Sequence, residues 1–121
     1  MPQNFNNLDV YNEAYSLAQD IYKETEKIEK HFRLKEQLFG SSTAVCANLA
    51  EMAAMDNKKQ QAQKVKVCIG ETNESEFWLN FCKDSGLIEE SKFKDYINRL
   101  KVIRMKLYNL LRSIEKESEK N

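Results

Sequence analysis

The side chains with the clearest chemical potential are one asparagine and three glutamates, in two segments whose patterns are helical. Asn48 and Glu51 stand three residues apart in a run of small apolar residues, and Glu74 and Glu76 stand two residues apart further along the chain. Residues two apart on an α-helix point about 200° away from each other, so Glu74 and Glu76 cannot form one paired-carboxylate site within a single subunit's helix. We interpret Asn48, Glu51, Glu74 and Glu76 as a structural polar cluster that sets helix register, within a bundle or across subunits.

Metal binding and nucleophilic catalysis lack the residues that they need. The only histidine is His31, so the sequence has no Glu-x-x-His motif of the kind that holds di-iron sites in helical bundles. The three cysteines, Cys46, Cys68 and Cys82, form no CxxC motif, and we expect reduced, buried thiols in the cytosol. No glycine-rich phosphate loop is present. We therefore predict a non-enzymatic, cytoplasmic protein with no catalytic residue, no metal and no cofactor.

The basic residues are clustered although the chain carries no net charge. Lys+Arg and Asp+Glu both number 19, yet residues 92–112 contain seven basic residues against Asp95 alone, and four lysines lie between positions 58 and 66. Such a surface could bind the phosphates of RNA or DNA. The alternative is the ordinary solvated face of amphipathic helices. The candidate phosphate-binding residues are Lys58, Lys59, Lys64, Lys66, Lys92, Lys94, Arg99, Lys101 and Arg104.

These residues must be positioned by helices. The chain has only three Gly and one Pro in 121 residues, and 31% of the residues are charged, which favours long helices over sheet. Apolar residues recur at spacings of three and four and predict helices at about 8–28, 33–55, 58–83 and 90–117. The short connections predict an all-α, antiparallel up-down-up-down four-helix bundle in one domain spanning 1–121.

Two further patterns concern helix packing. The first helix carries two adjacent apolar stripes, so either one stripe faces the core and the other faces a second subunit, or both belong to one broad buried face. Gly70 inside the third helix predicts a close helix crossing, because glycine is otherwise unfavourable there. No stretch approaches the ~20 apolar residues that span a bilayer, so we expect no membrane partner.

Three segments resemble a known family. The segment Phe5–Ala14 is similar to an opening F-x-x-L-x-V-W/Y-x-x-A, Ala47–Glu51 to the signature P-A-N-I-A-E-G, and Gly70–Leu79 to G-S-x-x-E-x-E-x-x-L. These patterns, in this order, resemble the small four-helix-bundle proteins encoded in intervening sequences of bacterial 23S ribosomal RNA genes. Two residues depart from the signature: Cys46 stands where that family usually has Pro, and Met52 stands where it usually has Gly.

The resemblance implies an antiparallel four-helix bundle that assembles as a homo-oligomer, typically a pentameric ring, with no established enzymatic activity. It extends to the accessory proteins of diversity-generating retroelements, which form basic pentamers that bind nucleic acid and reverse transcriptase. The present chain carries no net charge, and nucleic-acid binding therefore transfers poorly to it from those basic proteins. The sequence therefore favours a homo-oligomeric bundle with a scaffold role, and the alternative is an RNA- or DNA-binding accessory module.

Overall fold

The computed structural model describes residues 4–119, and the helical pattern of the sequence is realised there as four α-helices. They are α1 (Asp9–Glu26), α2 (Phe32–Ala53), α3 (Lys58–Asp84) and α4 (Glu90–Glu119), with a 3₁₀ turn at Phe5–Asn7 before α1. Each helix begins and ends within two residues of its predicted bounds. The described residues contain no strand, so the all-α prediction is confirmed.

The helices pack as a bundle in which each one contacts two neighbours, in the order α1, α2, α3, α4 and back to α1. In the side-chain pairs between neighbouring helices, the residue number in one helix increases as that of its partner in the other helix decreases. These neighbouring helices are therefore antiparallel. The pairs are Ser41 with Ser75 and Glu51 with Lys64 between α2 and α3, Glu76 with Arg104 and Lys58 with Glu117 between α3 and α4, and Glu24 with Tyr96 and Glu13 with Lys106 between α1 and α4.

One hydrophobic core runs along the bundle and receives residues from all four helices. Its fully buried side chains include Ile21 from α1, Leu49 from α2, Leu79 from α3 and Leu107 from α4. Each such side chain contributes roughly 1.5–3 kcal/mol through removal of apolar surface from water. The amphipathic spacing read in the sequence is therefore the main determinant of the fold.

Two glycines behave differently in the structure. Gly86 adopts a φ of 76° just after α3, and the neighbouring Leu87 amide donates to the Cys82 carbonyl at 2.8 Å. This left-handed residue ends the helix, close to the predicted bound at residue 83. Gly70 is exposed, and a Cβ added there would meet nothing within 4 Å. The predicted close crossing at Gly70 is therefore wrong for the subunit itself, because the glycine faces away from its own bundle.

Candidate interaction surfaces

The structure gives the four residues of the predicted polar cluster separate partners. The Asn48 amide donates to the Ala44 carbonyl of its own helix at 2.8 Å, and the Trp78 indole donates to Glu74 at 3.3 Å, also within one helix. These contacts satisfy polar atoms locally. Neither contact links two helices.

The other two members of the cluster do link helices. Glu51 on α2 pairs with Lys64 on α3 at 2.7 Å, and Glu76 on α3 pairs with Arg104 on α4 at 2.8 Å. Partly exposed ion pairs of this kind contribute about 0–1 kcal/mol each. Within one subunit the structure does not bring the four residues together, and a meeting across subunits stays a prediction.

The predicted basic surface is largely compensated by nearby carboxylates. Six of its nine members form ion pairs within the subunit: Lys58 with Glu117, Lys64 with Glu51, Lys66 with Glu115, Lys94 with Glu90, Arg99 with Asp20 and Asp95, and Arg104 with Glu76. The other three members, Lys59, Lys92 and Lys101, are exposed and form no ion pair with the residues that the structure describes. The clustering read from the sequence therefore overstates the free positive charge.

Arg99 is the most strongly held of these cations. Its guanidinium lies 2.7 Å from Asp20 on α1 and 3.3 Å from Asp95 on its own helix, and it also donates to the Ser16 hydroxyl. Burial lowers the pKa of Arg99, but the hydrogen bonds that the guanidinium donates to Asp20 and Asp95 outweigh it and the net shift is upward. Arg99 thus joins α4 to α1, and a phosphate would have to compete with two carboxylates for it.

All three cysteines are buried and form no disulfide, which confirms the predicted burial of the thiols inside the bundle. Burial raises the pKa of Cys46 and of Cys82 to about 11, and that of Cys68 to about 12. A thiol is nucleophilic only as the thiolate. At neutral pH these side chains therefore act as small apolar residues.

Neither a metal site nor a membrane span is found in the part of the chain that the structure describes. Over residues 4–119, no three or more His, Cys, Asp and Glu side chains are grouped so that they could hold a metal ion. Over the same residues, no helix is both long enough and apolar enough to cross a membrane.

The most distinctive surface is an aromatic groove between α1 and α2. The sequence indicated only its α1 side, as the second apolar stripe of that helix. Tyr11, Tyr15 and Tyr22 of α1 and Phe39 of α2 form its walls, together with Phe5 at one end, and the groove encloses about 510 Å³. Tyr15, Tyr22 and Phe39 are 48%, 49% and 42% exposed. We call this surface the α1/α2 groove.

The two apolar stripes of α1 lie in different environments. The first stripe, made of Val10, Ala14, Leu17 and Ile21, is buried in the core. Tyr11, Tyr15 and Tyr22 of the second stripe line the α1/α2 groove, and Tyr15 and Tyr22 are half open to solvent. The structure thus favours one core stripe and one outward stripe over a single broad buried face.

A second aromatic surface lies on the outward side of α3. Phe77 and Phe81 are 56% and 50% exposed, and the half-buried Trp78 contacts both rings, with centroid distances of 4.8 Å to Phe77 and 6.3 Å to Phe81. Val67, three turns earlier, is also exposed. We call Val67, Phe77, Trp78 and Phe81 the α3 ridge. Gly70 lies among these positions on the helix.

The fold and surfaces define a small antiparallel helical bundle with buried thiols, paired charges and two exposed aromatic faces. The model of the family described as 23S rRNA-intervening sequence protein matches residues 6–109. The chain therefore belongs to the 23S rRNA-intervening sequence protein family, and the resemblance seen in the sequence is confirmed.

A solved structure is similar over most of the chain. It is a protein of unknown function from the S23 ribosomal protein family of Bacteroides thetaiotaomicron, with a TM-score of 0.79 and 23% sequence identity. The match covers 84% of this chain and 97% of that chain. At this identity the likeness shows the fold alone. Comparison with curated proteins gives no match.

Proposed function

We propose that the protein is a non-enzymatic scaffold that assembles with copies of itself in the cytoplasm. The observation that carries the proposal is the pair of exposed aromatic faces, the α1/α2 groove and the α3 ridge. Clustered apolar exposure marks interaction sites, whereas single exposed apolar residues are ordinary. The protonated, buried thiols support a non-enzymatic role, and free cysteines are typical of a reducing compartment.

Covering the exposed rings would favour association. A large aromatic side chain buries about 150–250 Å², so a ring that is half exposed leaves roughly 100 Å² uncovered. At ~25 cal/mol per Å², covering it contributes about 2–3 kcal/mol. Tyr15, Tyr22, Phe39, Phe77 and Phe81 are all near half exposure. Their combined burial could offset the loss of translational and rotational freedom, which is estimated at about 4–15 kcal/mol.

We extend the pentameric ring implied by the family resemblance to this chain. The test is the mass of the purified protein at micromolar concentration, measured by light scattering and by native mass spectrometry. We expect five times the 14.2 kDa of the single chain. A different closed oligomer would correct the stoichiometry, and a strictly monomeric mass would overturn the assembly proposal.

Nucleic-acid binding is a second candidate function, and the exposed lysines Lys59, Lys92 and Lys101 are the observation that favours it. In a ring of copies these charges would repeat and their field would add. The test is a titration of fluorescent single- and double-stranded RNA and DNA at about 50 and 200 mM salt. Affinity should fall steeply with salt if phosphates are neutralised.

A charge-reversed control sharpens that test. Replacing Lys92 and Lys101 by Glu should weaken binding of every sequence alike, because phosphate contacts carry no sequence information. Absence of binding by the unchanged protein at low salt would remove this candidate.

A further inference from the structure

We infer that copies of the chain join head to tail, with the α3 ridge of one copy seated in the α1/α2 groove of the next. The inference rests on the proposed self-assembly and assigns its two contact surfaces. Each copy would present one groove and one ridge.

The two surfaces have opposite shapes. In the row of tyrosines on α1, Ala18 leaves a gap between Tyr15 and Tyr22, and the small side chains of Thr43, Cys46 and Ala47 line the groove from α2. The result is a hole flanked by rings. The α3 ridge is the convex counterpart, because its rings stand on the outward side of a single helix.

The spacing of the rings also corresponds. In the groove, Tyr11 and Tyr15 are four residues apart with centroids 5.9 Å apart, and on the ridge Phe77 and Phe81 are four residues apart with centroids 6.4 Å apart. Both spacings follow the ~5.4 Å pitch of an α-helix. A row of ridge rings laid against a row of groove rings can therefore keep the same register, with the rows separated by the 4.5–7 Å centroid distances that aromatic pairs prefer.

The placement of the surfaces allows a head-to-tail contact. The groove lies between α1 and α2, whereas the ridge lies on α3, so one copy can offer its groove to one neighbour and its ridge to another. A contact between two different patches generates a closed ring or an open chain. The chain supplies both halves of the contact in equal number, which favours a second copy as the occupant.

The aromatic area that the two surfaces expose is comparable in order of magnitude with the area that a stable interface buries. The half-exposed rings of Phe77 and Phe81, with those of Tyr15, Tyr22 and Phe39, leave about 500 Å² of aromatic surface uncovered. A specific interface buries about 1,000 Å² or more in total. The aromatic rings would thus supply about half of a stable interface, and the small residues and stems around them would supply the rest.

Gly70 fits the same contact. It is exposed, no atom of the chain lies within 4 Å of where its Cβ would be, and it shares the outward side of α3 with the ridge. Glycine in a helix interior is unfavourable unless a backbone must come close to something. A helix of the next copy supplies that reason, whereas the subunit itself does not.

The test uses one blocked surface per variant. Phe77→Glu places a charge on the ridge, and Ala47→Arg fills the groove at an exposed position without removing a core side chain. Met105→Glu is the matched control, because Met105 on α4 is 54% exposed and lies outside both surfaces. Circular dichroism and a thermal melt establish that each variant is folded.

We expect Phe77→Glu and Ala47→Arg each to weaken assembly at least tenfold when alone, and Met105→Glu to assemble as the unchanged protein does. Mixing the two blocked variants should give a 1:1 dimer and nothing larger, since one intact ridge meets one intact groove. Native mass spectrometry separates this mixed dimer from either variant alone.

The outcomes distinguish the two proposals. If the unchanged protein is monomeric, the proposed self-assembly fails. If it assembles but the mixture of folded variants forms no dimer, or if Met105→Glu dissociates it equally, self-assembly stands and the head-to-tail contact is overturned.

Discussion

The hydrogen bond between Tyr96 and Glu24 should be one of the strongest polar contributions to the stability of the bundle. The Tyr96 hydroxyl on α4 donates to the Glu24 carboxylate on α1 at 2.8 Å, and both residues are buried. Lys27 lies 4.0 Å from the same carboxylate. A hydrogen bond to a charged group contributes about 1.5–3 kcal/mol. We therefore expect Tyr96→Phe to lower the free energy of unfolding by about 2 kcal/mol.

Urea unfolding followed by circular dichroism at a fixed protein concentration would measure this loss. The Tm should fall by about 8 °C, taking about 4 °C per kcal/mol for a domain of this size. The matched control is a double-mutant cycle with Glu24→Gln, in which the coupling free energy isolates the bond. A loss below about 0.5 kcal/mol with no measurable coupling would refute the assignment.

The same bond makes a prediction about pH. Burial, and then the hydrogen bond to Glu24, raise the pKa of Tyr96 above its ordinary value. The unfolded chain therefore releases the Tyr96 proton before the folded chain does, so stability is complete below about pH 10 and is lost as the pH rises further. Tyr96→Phe should remove this part of the alkaline decline. An unchanged decline in the variant would contradict the sign of the shift.

Two further predictions concern glycines and thiols. Gly86→Ala should lower the free energy of unfolding in urea by about 1–2 kcal/mol, because φ is 76° at this residue. Gly70→Ala should raise the free energy of unfolding of the monomeric form by up to about 1 kcal/mol, because no atom lies within 4 Å of an added Cβ. Equal effects of the two substitutions would contradict these expectations. Burial raises the pKa of Cys68 to about 12, so the folded protein should react with a thiol reagent at neutral pH only as fast as it opens. Its stability should fall above about pH 9, because the unfolded chain releases the thiol proton before the folded chain does. Rapid reaction under native conditions would show that the thiol is accessible.

The helices were predictable because their information is local. Apolar residues at spacings of three and four give each helix a buried side, and Gly86 with its left-handed φ ends α3 just after the predicted bound at residue 83. The family resemblance was equally readable, because its motifs lie within single helices and keep their order along the chain.

The polar and basic sites were less predictable because their partners are distant in sequence. Glu51 and Glu76 could not be assigned to Lys64 and Arg104 without the packing of α3 against α2 and α4. Local charge density likewise suggested an open basic surface, whereas carboxylates from other helices neutralise most of it. Arg99, held by Asp20 across the α1–α4 contact, is the clearest case.

The sequence alone determined the all-α class, the helix bounds to within two residues, the buried state of the cysteines and the family. It determined these because periodicity, capping and short motifs act within a few turns of one helix. Only the tertiary structure decided which charges are paired, that Gly70 faces outward, and that the second stripe of α1 joins Phe39 of α2 in an open groove. These depend on which helices are neighbours and how each is rotated about its axis.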